Sequence, residues 1–259
     1  MKSSSVLALF VLLFTASLAW ADVATESVSY SHDGVELEGY LAVPAGEAKG
    51  AVLVVHEWWG LNDYARMRAD MLAELGYVAF AVDMYGKGKV TSDPGQAGQW
   101  AGEVTGDRAK YRARALAGLE AFTNTGTIAE GMKIAAIGYC FGGTTVTELA
   151  YSGADLAGVV SFHGNPKPAM ESDTIKASIL ICHGDADPLV SDESLKAATD
   201  ALNAKGADWL LIRYAGAKHA FSNPDADSYG MPPVGYDAKA DKRSWENMRS
   251  FLSEVLDAE

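Results

Sequence analysis

The sequence predicts an α/β fold with a mostly parallel central sheet, helices on both of its faces and an antiparallel hairpin at the N-terminal end. Short apolar runs rich in β-branched residues, such as 51–55, recur along the chain and suit strands buried on both faces. Segments of helical periodicity separate these runs, and this alternation is typical of parallel sheets. An early stretch of alternating polar and apolar residues predicts the hairpin.

The hairpin is predicted from strands over 27–31 and 35–43, with a turn at Gly34. Later strands are predicted at the apolar runs 51–55, 77–82, 133–139, 158–162, 177–182 and 209–214. Helices are predicted where apolar residues recur at helical spacing, at 61–75, 108–122, 144–151, 192–204 and 240–256, with a short one around 96–104 inside a loop. The first helix is expected to bury the side formed by Tyr64, Met67, Met71, Leu72 and Leu75.

The N-terminus has the pattern of a secretory signal peptide. Lys2 supplies a positive charge, an apolar run follows over 6–14, and Ala19-Trp20-Ala21 is a small-x-small cleavage site. The alternative is an uncleaved anchor, although the apolar run is short for a membrane span. We therefore expect a signal peptide over 1–21, a single α/β domain over 22–259, and a secreted or periplasmic location.

The charge balance argues against two classes of partner. The chain has a net charge of −13, which becomes −14 once Lys2 is removed. Such an acidic protein repels nucleic acids and anionic membranes, and no basic patch opposes this. We expect no nucleic-acid partner, no membrane association after cleavage, and a monomer or small homo-oligomer.

Two cysteines, Cys140 and Cys182, end two of the predicted strands, and a third strand lies between them in sequence. If the three strands lie side by side, the two α-carbons are about 10 Å apart from strand spacing alone. A disulfide tolerates roughly 7 Å. We expect two free thiols, with Cys182 packed in the core.

The segment 137–143 has the form of a nucleophile elbow, G-x-nucleophile-x-G, with Cys140 in the place where serine is more usual. A nucleophile on a sharp strand-to-helix turn has a strained backbone, and Gly138 and Gly142 remove collisions around it. The dipole of the following helix favours a thiolate at this position. The alternative is a buried cysteine in a glycine-containing strand end.

Other reactive groups follow further strands, in the order nucleophile, acid, histidine that α/β-hydrolases share. A thiol needs an imidazole to take its proton, and the imidazole needs an acceptor to fix its tautomer. His219 and Asp187 suit these roles by position. Asp185 is the competing acid, and Asp187 is preferred because the later residue of such a loop can turn back toward the histidine.

The chain resembles the dienelactone hydrolase family from about residue 39 to the C-terminal helix. The resemblance is carried by the segments VVHEWWG (54–60), DMY (83–85), GYCFGG (138–143), GDAD (184–187) and GAKHAF (216–221). It implies an α/β-hydrolase fold and a Cys140–His219–Asp187 triad. It further implies that Glu57 hydrogen-bonds the resting thiol, and that the backbone N–H groups of Phe141 and Trp58 form the oxyanion hole. The alternative for Glu57 is solvent exposure or pairing with Lys87 or Arg66.

The sequence departs from the family where relatives that act on dienelactone hold its carboxylate with two arginines. Those positions are Lys87 and Asn223 here, and both are expected near the substrate. Lysine lacks the bidentate fork of arginine and asparagine lacks the charge, so dienelactone itself is doubtful as the substrate. Trp58, Trp59 and Tyr85 suggest an aromatic-walled pocket, although aromatic residues at a sheet edge are also common in cores.

The sequence predicts an exported hydrolase of small carboxylic esters or lactones that acts through an acyl-cysteine intermediate. One alternative is a non-catalytic ligand-binding member of the fold. Another is a thiol-redox protein, which the absence of a C-x-x-C motif disfavours. No H-E-x-x-H motif and no phosphate-binding glycine loop occurs, so no cofactor and no metal are expected. His56 with Glu57 resembles a fragment of a metal site but lacks a second spaced ligand.

Overall fold

The computed structural model describes residues 23–257. The predicted signal peptide over 1–21 lies outside the described residues. Between residues 23 and 257, no helix has both the length and the apolar character needed to cross a membrane.

Eight strands form one sheet in the order β1-β2-β4-β3-β5-β6-β7-β8. The strands β1 and β2 form an antiparallel hairpin that also pairs antiparallel with β4, and the remaining pairs are parallel. This is the predicted fold. The bounds are β1 Ala24–His32, β2 Val35–Val43, β3 Ala51–Val55, β4 Val78–Val82, β5 Ile134–Tyr139, β6 Gly158–Phe162, β7 Ser178–Gly184 and β8 Trp209–Tyr214.

Helices cover both faces of the sheet, and a separate apolar core fills each face. The described helices are α1 Asp63–Glu74, α2 Pro94–Thr105, α3 Arg108–Thr123, α4 Phe141–Tyr151, α5 Asp192–Ala204 and α6 Ala238–Asp257. The core under α3, α4 and α5 contains Phe122, Leu149 and Leu202, whereas the core under α1 and α6 contains Leu72 and Leu252. Strands β3, β4 and β6 are buried along their whole length, as their continuous apolar runs predict.

The first helix differs from its predicted packing. Tyr64 and Leu72 are buried as expected, but Met67 is 38% exposed, and Arg68 is buried in the core instead. The Arg68 guanidinium donates to the Ser222 carbonyl oxygen and to Asp241 Oδ1, both at 2.6 Å. A buried cation is tolerated only when it is paired and hydrogen-bonded, and these partners satisfy that condition.

Arg68 also lies over the rings of Tyr64, Tyr139 and Trp245, at 5.0–5.5 Å from their centroids. The side chain therefore links α1 to α6 and to the loop after β8. That loop carries His219, so this buried ion pair helps to fix the loop on which the predicted site depends.

Both cysteines are free, as predicted. Cys140 directly follows β5 and Cys182 lies in β7, and strand β6 lies between these two strands in the sheet. The strand order therefore confirms the spacing argument. Cys182 is completely buried, and burial raises the pKa of its thiol to about 12. It is therefore a packed, unreactive core residue.

Candidate active site

Cys140 lies on a strained turn between β5 and α4. Its φ is 54° and its ψ is −112°, a conformation that residues with side chains rarely adopt. A Cβ on Gly138 would collide with the carbonyl oxygen of Gly142, and a Cβ on Gly142 would collide with that of Val55. Only glycine fits at both positions. The geometry is that of the nucleophile elbow predicted from the sequence, with α4 beginning at Phe141 rather than at the predicted 144.

The positions of Phe141 and Trp58 follow from the register of β3 and β5. In this parallel pair, Val55 lies opposite Gly138, and Trp58 and Phe141 each come three residues later. The two residues therefore leave the same edge of the sheet side by side. Phe141 is the first residue of α4, where a backbone N–H has no partner within the helix.

His219 and Asp187 come together although they follow different strands. His219 Nδ1 donates to Asp187 Oδ2 at 2.8 Å, and both side chains are buried. The other carboxylate oxygen of Asp187 accepts the Leu189 N–H at 2.8 Å, which fixes the orientation of the carboxylate. Asp185 points elsewhere and pairs with Arg213 at 2.7 Å on the surface. Asp187 is therefore the carboxylate that reaches the imidazole.

The surroundings of His219 favour its imidazolium form. Burial by itself lowers the pKa of the ring, but the electrostatic interaction with Cys140 and the hydrogen bond to Asp187 outweigh it and raise the pKa to about 10. An imidazole with this pKa is protonated at neutral pH. The proton held by His219 is thus available for transfer beside the sulfur.

Glu57 is buried at the end of β3 and lines the same cavity as Cys140. Its Oε2 accepts a hydrogen bond of 2.6 Å from Asn223 Nδ2, and Asn223 also donates to the Tyr229 hydroxyl at 3.1 Å. Burial raises the pKa of Glu57 to about 7, and the hydrogen bond from Asn223 opposes this shift. The expected hydrogen bond to the Cys140 thiol is not found within residues 23–257, nor is a pairing of Glu57 with Lys87 or Arg66.

A cavity of about 100 Å³ opens beside Cys140. Apolar and aromatic side chains form most of its wall, and the polar groups are those already described. The lining residues are Glu57, Trp58, Trp59, Cys140, Leu189, His219, Ala220, Tyr229, Met231 and Val234. The predicted contacts Trp58 and Trp59 are among them.

Three other predicted substrate contacts lie outside this wall. Tyr85 is buried behind it and packs against the rings of His56 and Phe141. Lys87 points to the surface and pairs with Glu38 at 2.8 Å and with Glu36 at 3.8 Å. Asn223 is completely buried and contacts the cavity only through Glu57 and Tyr229. The prediction that these residues touch the substrate is not supported by their positions.

Comparisons with known proteins agree on one family. The family model described as "Dienelactone hydrolase family" matches residues 37–256. The chain belongs to the dienelactone hydrolase family.

Individual relatives cover nearly the whole chain. A protein of Aquifex aeolicus with the provisional name carboxymethylenebutenolidase is 28% identical, over 89% of this chain and 99% of its own length. A dienelactone hydrolase-like promiscuous phosphotriesterase from metagenomic libraries is 39% identical, with a TM-score of 0.86 over 90% of this chain and 98% of its own. A dienelactone hydrolase from Anabaena variabilis is 21% identical, with a TM-score of 0.60 over 88% and 98% of the two chains, and shares the fold.

In this dienelactone hydrolase-family chain, His56 is a structural residue. It is completely buried, and its Nε2 accepts the Met84 N–H at 3.2 Å, so its proton is on Nδ1 and is donated to the Glu57 carbonyl oxygen. The ring therefore holds the Glu57 backbone in place. No group of three or more His, Cys, Asp or Glu side chains within the described part of the chain is arranged to hold a metal ion.

His163 is a residue that the sequence analysis missed. It follows β6, has a φ of 39°, and lies between the elbow and the His219 loop. Its Nδ1 accepts the Cys140 N–H at 3.1 Å, and its Nε2 contacts Ser222 Oγ at 2.8 Å. Burial lowers the pKa of His163 well below its usual value, and the nearby charge of His219 lowers it further, so the ring is neutral.

The neutral ring of His163 donates from Nε2 to Ser222, whose hydroxyl also contacts the Tyr64 hydroxyl at 2.9 Å. The signal that could have revealed His163 was its position, because it follows a buried strand in the same way as His56.

We expect Asp187→Asn to lower kcat/KM for an ester by about 10³- to 10⁴-fold, because asparagine cannot stabilise the imidazolium and favours the wrong tautomer of His219. Asp185→Asn is the matched control, and it should cost less than about threefold. Steady-state kinetics of both variants check this. Equal losses, or a larger loss for Asp185→Asn, would contradict the assignment of the carboxylate.

We expect Glu57→Gln to speed alkylation of Cys140 by iodoacetamide above pH 7. Glu57, with its pKa of about 7, is ionised there and opposes a second negative charge on the sulfur. Below pH 6 the carboxyl group is mostly neutral, so the two rates should converge. The rates are measured across pH with Cys182→Ala in both proteins. Profiles that coincide at every pH would show that Glu57 does not restrain the nucleophile.

Proposed function

We propose that this hydrolase cleaves small carboxylic esters or lactones through an acyl-cysteine intermediate. The observation that carries the proposal is that Cys140 and His219 line one apolar cavity while Asp187, from a third strand end, binds the His219 imidazole. Nucleophilic catalysis by a thiol requires a base beside the sulfur and an acceptor that orients the base. All three groups are present in that order.

In the first half of the reaction, the Cys140 thiolate attacks the carbonyl carbon. A sulfur–carbon bond forms, and the π electrons move to the carbonyl oxygen. The backbone N–H groups of Phe141 and Trp58, which leave the sheet side by side, are positioned to stabilise that oxyanion. When the intermediate collapses, the carbon–oxygen bond breaks and His219 gives its proton to the leaving alkoxide.

In the second half, water attacks the thioester carbon while the now neutral His219 takes its proton. Collapse of this second intermediate breaks the sulfur–carbon bond, releases the carboxylic acid and regenerates the thiolate. Asp187 keeps the proton on Nδ1 of His219 throughout, so Nε2 always faces the reacting atoms.

The charges around the cavity disfavour dienelactone as the natural substrate. Lys87 is engaged with Glu36 and Glu38, and Asn223 supplies an uncharged amide to Glu57. Neither presents a cation to the cavity, and the protonated His219 is already paired with Asp187, so a substrate carboxylate would be repelled by the Glu57 carboxylate. Small uncharged esters and lactones suit the site better.

We also propose that the protein is exported and that residues 1–21 are removed, on the basis of the charged, apolar and small-x-small segments at its N-terminus. Expression of the full-length chain in a bacterial host, followed by fractionation and N-terminal sequencing, tests this. We expect the mature chain to start at Asp22 outside the cytoplasm. An intact Met1 in the cytoplasm or membrane would contradict it.

Cys140→Ala should abolish turnover, with a loss of kcat on the order of 10³-fold or more. Cys182→Ala is the control and should keep nearly full activity, because this buried thiol does not reach the cavity. Hydrolysis of ethyl acetate by the purified mature proteins, followed by proton release, checks both. Activity of Cys140→Ala within tenfold of the wild type would exclude the proposed nucleophile.

The same assay separates the alternative functions. A ligand-binding protein would show no turnover of any activated ester while still binding the ester or its product. A thiol-redox protein would instead consume one thiol equivalent on titration with a disulfide reagent and reduce disulfides catalytically.

A further inference from the structure

Two separate cavities meet at the nucleophile. The first is the apolar cavity of about 100 Å³ described above. The second, of about 390 Å³, is lined by residues of α2, α3 and the start of α4. Cys140 and Trp58 line both cavities and are the only lining residues that the two share. A substrate whose carbonyl carbon lies at Cys140 can therefore extend in two directions.

The position of His219 decides which half of an ester extends in which direction. His219 lines the small cavity and does not line the large one. In the collapse of the intermediate, the proton passes from His219 to the alkoxide oxygen, so that oxygen must lie within hydrogen-bond reach of the imidazole. The alcohol portion therefore leaves through the small cavity, and the acyl portion extends into the large one.

The small cavity limits the alcohol portion in size and polarity. Leu189, Met231 and Val234 line it together with Tyr229 and Trp59, whose rings are tilted against each other at a centroid distance of 4.6 Å. For comparison, a dry apolar cavity of about 150 Å³ in another protein holds a benzene molecule. A cavity of about 100 Å³ takes a group of a few carbon atoms, and the apolar wall does not compensate the loss of hydration of a charge.

The large cavity has almost four times the volume of the small one, and charged side chains contribute to its lining. Phe141 and Tyr111 line it near the nucleophile, while Ala101 and Thr105 contribute from α2. Arg108, Asn165 and Lys167 also line it and are partly or largely exposed to solvent, and Arg108 is paired with Glu148 at 2.7 Å. A chain of several carbon atoms can lie along the apolar part and still end near water.

We propose that this hydrolase prefers esters with a short, uncharged alcohol portion and a longer acyl portion, because the His219-lined cavity takes the alcohol and the α2–α3 cavity takes the acyl chain. This assignment rests on the acyl-cysteine mechanism proposed above.

Two isomeric esters test the assignment directly. Ethyl hexanoate and hexyl acetate have the same composition and nearly the same hydrophobicity, and they differ only in which side of the carbonyl carries the long chain. We expect kcat/KM, followed by proton release, to be at least tenfold higher for ethyl hexanoate. Values within threefold of each other, or a preference for hexyl acetate, would overturn the assignment.

Failure of the assignment can be told apart from failure of the mechanism. If ethyl acetate is hydrolysed but neither isomer is, the two-cavity assignment is wrong and the proposed function stands. If no ester is hydrolysed, the proposed function fails and the assignment fails with it.

Two variants locate the effect in each cavity. Ala101→Phe should narrow the large cavity and lower the ratio of kcat/KM for ethyl hexanoate to that for ethyl acetate by about tenfold. Val234→Ala should widen the small cavity and raise the ratio for hexyl acetate to that for ethyl acetate by about fivefold. Thermal melting shows whether each variant is folded. If Ala101→Phe does not fold, the variant Thr105→Trp is used in its place. Thr105 lines the same cavity at an exposed position.

The variants also have a result that would overturn the assignment. If Ala101→Phe, or its replacement, changes the hexyl acetate ratio and leaves the ethyl hexanoate ratio alone, the acyl chain does not occupy the large cavity. The same conclusion follows if Val234→Ala improves ethyl hexanoate rather than hexyl acetate.

Discussion

Close contact between three backbone segments at the end of the sheet holds Cys140 in its left-handed conformation. Gly142 packs against the carbonyl oxygen of Val55, and Gly138 packs against the carbonyl oxygen of Gly142, with no room for a Cβ at either position. The Cys140 N–H is bound by the Phe162 carbonyl oxygen at 3.0 Å. A strained backbone conformation persists only when the surrounding structure holds the residue in place, and here contacts from three parallel strands do so. The place of the sulfur, and hence of both cavities, depends on these contacts.

Around this fixed sulfur, burial makes the few charged groups act strongly on each other. Asp187, His219 and Glu57 are all buried, so their interactions are weakly screened. Two long-range contacts hold the His219 loop against them: Arg68 binds the Ser222 carbonyl oxygen, and the His219 N–H binds the Pro233 carbonyl oxygen. In the proposed mechanism this positioning matters, because a shift of about 1 Å in a catalytic group can cost roughly 10²-fold in rate.

Much of the fold and part of the site could be predicted from sequence because they depend on local patterns. The helix over 192–204 and the strand over 209–214 have the predicted bounds, since apolar periodicity and flanking turn residues specify them. The elbow was recognisable because its glycines must be neighbours of Cys140 in sequence. The burial of Met67 was predicted incorrectly and that of Arg68 was not predicted, because helical periodicity does not reveal that a partner for Arg68, Asp241, lies 173 residues away.

The sequence by itself determined the order of strands and helices, the strained position of Cys140, and the reactive residues that follow each strand. These features are encoded within a few neighbouring residues, so periodicity and glycine spacing reveal them. Only the tertiary structure decided which of these residues meet. Asn223 binds Glu57 across 166 residues, Lys87 turns outward to the β2 carboxylates, and His163 supports the elbow from β6. The shapes of the two cavities arise in the same way, because side chains from distant loops and helices enclose each of them only after the sheet has brought those segments together.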